Sequence, residues 1–532
     1  MNTPGDAARG PRGRPWCTLA ALTLGAMTVS LDGTVVAIAQ PAIQEELGAS
    51  LSDVQWMTAG YLLALAALLV PAGKLGDRFG HRRLFLVGTT GFTLSSAAIG
   101  LSAHIAWIIA LRVVQGVFGA LMQPPTLALL RAAFPADRLS MPIAVRSSAL
   151  GLATAAGPVV GGLLVEHIGW QSVFFLNVPL GAVTFGLGRW VLREARPDPA
   201  TRSDPVAAVL LCAALLALLW AVVGAPAAGW GDTRTVATLL GAAVLGAGFC
   251  LWEQRAAEPM VPLSLFRSPT FTAGVVLMTL VSFILFGVPL VLVFFLQNVL
   301  GMSPMESGVE VLWLTLGMTL AGTVAGLVMR RTGPRIPAVL GMAATTAGVL
   351  GVWHADATST MSAQLRLSFA LLGLGFSSVI VASTHLIVGG APLRHSGLAG
   401  GIQQTAMQIG GSLGSAVLGA VVAARVDRLL PERLSDDGVP LSGAALADAV
   451  RSVSTGLTPD SFQTAELIRL GHQTYADGMD LALLGAAALA ALGTAVGAVP
   501  LLRRTVPAPD AARGPATPEP DAFENSDDRG TS

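Results

Sequence analysis

Apolar residues run along this chain in long blocks, without the alternation of a half-buried strand. A block of about 20 mostly apolar residues is long enough to cross a bilayer as a helix. Fourteen such blocks are predicted. The first six lie near 17–39, 54–73, 83–102, 105–128, 142–165 and 172–191. Two more follow near 206–224 and 236–254. The last six lie near 271–296, 307–329, 336–354, 366–390, 398–423 and 479–502. The stretch from about 425 to 478 is the one large polar insertion, and it predicts an external loop with some amphipathic helix. Pro124, Pro125, Pro158 and Pro289 fall inside blocks, which membrane helices tolerate because neighbouring helices satisfy the freed backbone groups.

Charge gives the blocks an orientation. With the N-terminus placed in the cytoplasm, the tails and inner loops hold 24 of the 32 lysines and arginines. That bias toward one side is the positive-inside pattern, and it predicts an even number of spans with both termini cytoplasmic. Residues 1–15 then form an inner N-tail, and the Pro- and Asp-rich 505–532 a disordered inner tail. Arg9, Arg12 and Arg14 before an apolar run imitate a signal peptide, but Asp32 and the many blocks that follow favour a first membrane helix.

Composition narrows the function. Of 532 residues, 53% are hydrophobic and 12% charged, with a mean hydropathy of +0.66. Soluble domains carry about 25% charged residues, so the expected partner is the lipid bilayer. The net charge of zero argues against nucleic acid. Lys74, the single lysine, is followed by Leu75, so the chain lacks the Gly-Lys-Ser/Thr of a nucleotide-binding P-loop. Cys17, Cys212 and Cys250 are scattered through apolar runs, which supports neither a metal site nor a disulfide framework. No cofactor and no catalytic constellation is implied. Gly410-Gly411-Ser412-Leu413-Gly414 matches a hydrolase elbow in letters only, because that motif needs a strand-to-helix turn.

An internal repeat is visible. Leu47-Gly48-Ala49-Ser50 and Leu300-Gly301-Met302-Ser303 stand 253 residues apart, as do Gly73 and Gly326, and Gly157-Pro158 and Gly410-Gly411. Duplicated halves are a transporter feature, with the substrate path between them. The expected organisation is a bundle at 16–192, a linker with two extra helices at 193–269, and a second bundle at 270–504.

Two ionisable groups sit deep in the first bundle. Asp32 interrupts an apolar block, where a charge costs about 2.5–3.5 kcal/mol on insertion scales. It is a candidate for carrying a proton or touching substrate; the competing reading is a carboxylate hydrogen-bonded to a neighbouring helix. Arg112 keeps its charge and either tunes a neighbour or snorkels to an interface. Gly73, Asp77, Arg78, Gly80 and Arg82 in the 73–83 loop form a spaced Gly/Asp/Arg pattern suited to a tight turn and a breakable latch between Asp77 and an arginine. Gly151, Gly157, Pro158, Gly161 and Gly162 predict close packing and a bend. Gln115, Trp56, Tyr61, Gln297, Gln403 and Gln404 are candidates for lining a cavity, and Glu306 and Glu310 read as solvated carboxylates near helix ends.

The 73–83 loop, GKLGDRFGHRR, resembles the signature loop of the major facilitator superfamily. Leu31 through Val36 (LDGTVV), Leu111 through Gly116 (LRVVQG) and Gly151 through Gly162 (GLATAAGPVVGG) resemble motifs of its fourteen-helix drug:proton antiporter family, over about residues 16–504. The resemblance implies an all-α fold with fourteen spans as 6+2+6 in a bacterial plasma membrane. It implies efflux of drug-like small molecules exchanged for protons, with Asp32 and Arg112 in coupling and the 73–83 loop in gating. The alternative is a proton-coupled importer on the same fold. The second-half copy of the loop has Arg330 in place of Asp77, so it cannot form the same latch.

Overall fold

The computed structural model describes residues 15–49, 51–135, 138–194, 204–229, 231–256, 259–302, 304–353, 363–392, 395–437, 439, 441–459 and 461–498. Among them every regular element is helical. The first bundle contains α1 (Pro15–Leu47), α2 (Leu51–Phe79), α3 (His81–Gly100), α4 (Ile105–Ala133), α5 (Ser140–His167), and the broken pair α6 (Gln171–Phe175) and α7 (Asn177–Val191). Next come α8 (Pro205–Ala228) and α9 (Thr233–Arg255). The rest comprises α10 (Pro269–Phe294), which ends in a π turn at Phe295–Val299, α11 (Pro304–Thr332), α12 (Arg335–Trp353), α13 (Ala363–Gly390), α14 (Ser396–Asp436), the short α15 (Gly443–Val453) and α16 (Ala465–Ala498).

Thirteen spans among the described residues are long and apolar enough to cross a membrane, with α6 and α7 counting as one. The protein is therefore a multi-pass membrane protein. The fourteenth block corresponds to α3, whose hydropathy is lower because it opens on His81-Arg82-Arg83 and carries serines and threonines. Those hydroxyls are internally satisfied: Thr89 donates to the Phe85 carbonyl at 2.8 Å and Thr93 to the Thr89 carbonyl at 2.7 Å. With α3 added, each of the fourteen predicted spans is helical over its described residues. Helices α8 and α9 start where Asp204 and Asp232 accept backbone N–H groups of the first turn, the usual way an N-terminus is satisfied.

The repeat is written into the backbone. Gly48 and Gly301 have φ of 59° and 67°, and Gly80 and Gly333 have φ of 100° and 77°. Each pair is separated by the same 253 residues and closes a turn between two spans in a left-handed conformation that a β-carbon disfavours. Helix α1 packs on α5, α2 and α3 pack on α4, α10 packs on α14, and α11 and α12 pack on α13. Helix α8 pairs with α9 and lies against both α2 and α14.

Two expectations are corrected. The polar excursion at 425–478 is mostly helix, because α14 continues to Asp436 and α16 begins at Ala465. Val422, Val426, Leu430 and Leu434, spaced four apart, are buried along α14. Arg433 pairs with Asp477 and donates to Thr474 at 3.0 Å, tying α14 to α16. Glu310 is not solvated: it is fully buried, with both oxygens accepting from Arg366 at 3.1–3.3 Å. Arg366 remains 40% exposed. Glu310→Ala is therefore expected to cost about 1–3 kcal/mol, below the ~3–5 of a wholly buried pair. Thermal unfolding of the purified protein in detergent, compared with wild type, measures it.

Candidate functional site

Asp32 lies in the middle of α1, with 2% of its surface exposed. Arg112 of α4 donates to its Oδ2 at 2.6 Å. Gln115, one helical turn further along α4, donates to Oδ1 at 3.2 Å and accepts from Arg112 at 2.7 Å. Asn177, the first residue of α7, donates to the same Oδ1 at 2.7 Å and to Ser96 of α3 at 3.0 Å. Ser96 in turn donates to the Phe174 carbonyl at 2.8 Å, beside the break between α6 and α7. The Arg112 guanidinium stands 4.0 Å over the Tyr61 ring of α2. Five helices thus contribute to the network around one carboxylate. Both its oxygens are occupied, by groups of the first six spans alone.

The spacing explains the convergence. Arg112 and Gln115 are three residues apart and share a face of α4. Desolvating an ion pair is offset only when further hydrogen bonds satisfy its remaining lone pairs, and Gln115 and Asn177 supply two of them at Asp32 Oδ1. The Arg112 Nε is the one buried atom of the network's charged groups with no partner.

A second constellation closes one end of the bundle. Asp77, in the last turn of α2, accepts the backbone N–H groups of Gly397 at 3.1 Å and Leu398 at 3.3 Å. It thereby caps the start of α14, where the helix dipole favours a negative charge. His81 lies 3.1 Å from the same carboxylate. Gly73 and Gly397 let the backbones touch: a β-carbon on Gly73 would overlap the Gly397 carbonyl. Gly400 and Gly401 repeat the device, with a β-carbon landing 2.9 Å from the Pro124 carbonyl and 2.7 Å from that of Leu69. Gln404 of α14 donates to Gln123 of α4 at 2.9 Å, and Ser148 of α5 to the Thr319 carbonyl of α11 at 3.2 Å.

Comparison with known proteins decides what this architecture is. A profile of the Major Facilitator Superfamily matches residues 22–415. The chain belongs to the Major Facilitator Superfamily. It is 49% identical over 496 residues to the tetracenomycin C resistance and export protein of Streptomyces glaucescens, covering 92% of each chain. It is 32% identical to the multidrug resistance protein Stp of Mycobacterium tuberculosis, over 89% of this chain and 90% of that one. It is 34% identical to the multidrug efflux pump LfrA of Mycolicibacterium smegmatis, over 82% and 88%. The human organic anion transporter MFSD10 shares the fold, with a TM-score of 0.61 over 92% of this chain and all of that one, at 14% identity.

Within this transporter fold the remaining predicted residues separate. Asp77 holds α14 and His81 rather than an arginine. Arg82 instead donates to the Arg189 carbonyl at 3.0 Å, and Arg78 lies 5.0 Å from the Phe79 ring centre. Gly80 makes the turn. Gly157 and Gly161 pack against Thr34 and Val35 of α1, so the small-residue seam lies inside the first bundle. A β-carbon on Gly151 would stand 3.8 Å from the Met318 side chain of α11, and one on Gly162 would meet nothing within 4 Å. The side chain of Pro158 lies outside the described residues.

The cavity candidates also divide. Gln115 belongs to the Asp32 network, and Tyr61 is buried beneath Arg112. Trp56 stacks on Trp220 of α8 at 4.4 Å, against the linker helices. Gln297 bonds Ser307 at 2.9 Å near the end of its own span, and Gln403 points its nitrogen at the Met278 sulfur of α10, 3.7 Å away. Gln404 alone of the last three bridges the two bundles.

Sequence reading missed Asn177 as a partner of Asp32, and Ser96 as the hydroxyl that holds Asn177 in place. It also missed Glu194, whose two oxygens accept the Arg82 and Arg83 N–H groups at 3.1 and 3.3 Å and cap α3. An asparagine in an otherwise apolar span was the available signal for the first. Asn177→Ala is expected to lower gradient-driven transport several-fold while Asn177→Gln restores part of it, because a buried carboxylate oxygen left short of a donor costs ~1–3 kcal/mol. Initial rates in everted vesicles give the comparison.

Proposed function

We propose that this Major Facilitator protein is a proton-driven exporter of hydrophobic or amphipathic small molecules. It would serve as an antibiotic or multidrug resistance pump in a bacterial plasma membrane, with both termini cytoplasmic. The observation that carries the reading is the Asp32–Arg112 pair, buried among five helices. The naming of two relatives as an export protein and an efflux pump supports the direction of transport. The protein works as a transporter and not an enzyme, and it needs no cofactor beyond the gradient.

The cycle follows from the two constellations. On this reading the 73–83 end is cytoplasmic, and the contacts of Asp77, Gly73 and Gln123 hold it shut while the cargo path faces outward. A proton reaching Asp32 neutralises the carboxylate and releases Arg112, leaving a lone buried cation. Losing such a partner costs ~3–5 kcal/mol, against ~2.3 kcal/mol per charge per 100 mV from the membrane potential. The two are of one order, so protonation can drive repacking of the first bundle, 16–192, against the second, 270–504. The 193–269 helices ride between them. Return of the proton to the cytoplasm restores the pair. Asp32 acts through Arg112 and not by gripping cargo, since both its oxygens are taken.

Cells expressing the protein are expected to hold less of a fluorescent amphipathic dye than cells without it, and to lose that difference on addition of a protonophore. A difference that persists without the gradient, or that reverses in sign, overturns the proposal.

A further inference from the structure

Helices α4 and α5 carry two arginines into the closed seam between the bundles. Arg146, the seventh residue of α5, is 4% exposed. Its Nη2 reaches Gln123 Oε1 at 3.4 Å, an oxygen already accepting from Gln404 at 2.9 Å. Its Nε is buried with no partner, and so is Nη1 of Arg131 in the last turn of α4. Among the described residues no carboxylate lies within ion-pair distance of either side chain. The walls of the seam are apolar: Leu129, Leu130, Ile143 and Ala144 pack with Ala325 and Met329 of α11.

The contrast with Arg112 is direct. Both guanidiniums are buried and permanently charged, yet Arg112 has Asp32 and Arg146 has a single long bond to a neutral amide. An isolated buried cation costs several kcal/mol, and charges kept within membrane spans are functional by default. A guanidinium offers donors only, so what it lacks is an oxyanion. Among the described residues none supplies one here, and the seam that buries Arg146 is the one that must part for cargo to enter.

We propose that Arg146, flanked by Gln123 and Gln404 and with Arg131 beside the mouth, binds an anionic group, carboxylate or phenolate, on amphipathic cargo entering from the cytoplasm. Parting of the bundles draws Gln404 on α14 away from Gln123 on α4 and opens the Arg146 donors to the incoming anion. The proposal rests on the exporter reading and adds the charge class of the cargo.

The test uses two dyes that differ in one group, dansylglycine and its uncharged amide, with the purified full-length protein in detergent free of anionic lipid. Wild type is expected to bind dansylglycine the more tightly. Arg146→Gln is expected to lose at least ten-fold in dansylglycine affinity with the amide unchanged, and Arg146→Lys to retain most of it. Equal wild-type affinities, or an equal loss of both dyes in Arg146→Gln, overturn the site. If Arg146→Gln does not fold, Arg131→Gln takes its place: a loss confined to dansylglycine supports the site, and no loss or an equal loss overturns it. Binding needs no gradient, so uptake into energised everted vesicles separates the two readings. A protein that binds dansylglycine but moves neither dye keeps the site and loses the exporter function. One that moves both dyes equally keeps the function and loses the site.

Discussion

Asp32→Asn is expected to insert normally and to lose proton-driven export, by at least 100-fold in initial rate. Asparagine matches the shape of the carboxylate, so the packing among α1, α4 and α7 survives. What changes is charge. The Arg112 guanidinium then faces a neutral amide at the position where it now meets a carboxylate at 2.6 Å. The protein is held in the electrostatic condition of the protonated state, and the gradient has nothing to titrate. Downhill movement of cargo should persist, because the seam at the other constellation is untouched. Uphill export in cells and facilitated exchange in de-energised vesicles separate the two activities. Full proton-coupled export by Asp32→Asn would remove this residue from the mechanism.

Gly397→Ala is expected to prevent closure of the 73–83 end and to lower export at least ten-fold. The β-carbon would stand 2.6 Å from the Gly73 carbonyl and 2.9 Å from Asp77 Oδ1. The His81 ring stands nearer still but can turn aside; the Gly73 carbonyl is backbone, so α2 and α14 must separate, and separation stretches the bonds by which Asp77 caps α14. Two charge-assisted hydrogen bonds are then weakened together, each worth ~1.5–3 kcal/mol. The conformational balance moves toward the state open at this end. A single cysteine at Ala144, which is fully buried in the closed seam, reports it in a background with Cys17, Cys212 and Cys250 replaced by serine. Its labelling by a thiol reagent applied to everted vesicles should rise in Gly397→Ala. Unchanged labelling with export intact would show that the close approach of the two glycines is dispensable.

The sequence by itself determined the helices, because spanning a bilayer leaves a 20-residue apolar block no other way to satisfy its backbone. It also determined the repeat, since Gly48, Gly80, Gly301 and Gly333 must be glycine wherever a turn runs left-handed. The presence of a chemical group at Asp32 was legible too, because an ionisable residue in an apolar block is costly enough to need a reason. Partnership was not legible. Asp32 and Asn177 are 145 residues apart and Asp77 and Gly397 are 320 apart, and hydrophobic pattern carries no information on which faces of which helices meet. Only tertiary packing decided that Asp32 is bonded at both oxygens within the first bundle, that Glu310 is buried on Arg366, and that Asp77 holds a helix end and not an arginine. The same packing decided that Arg112 has a counter-ion while Arg146 has none among the described residues. Burial and pairing of a charge are set by neighbours from distant segments, and those neighbours exist only once the helices have assembled.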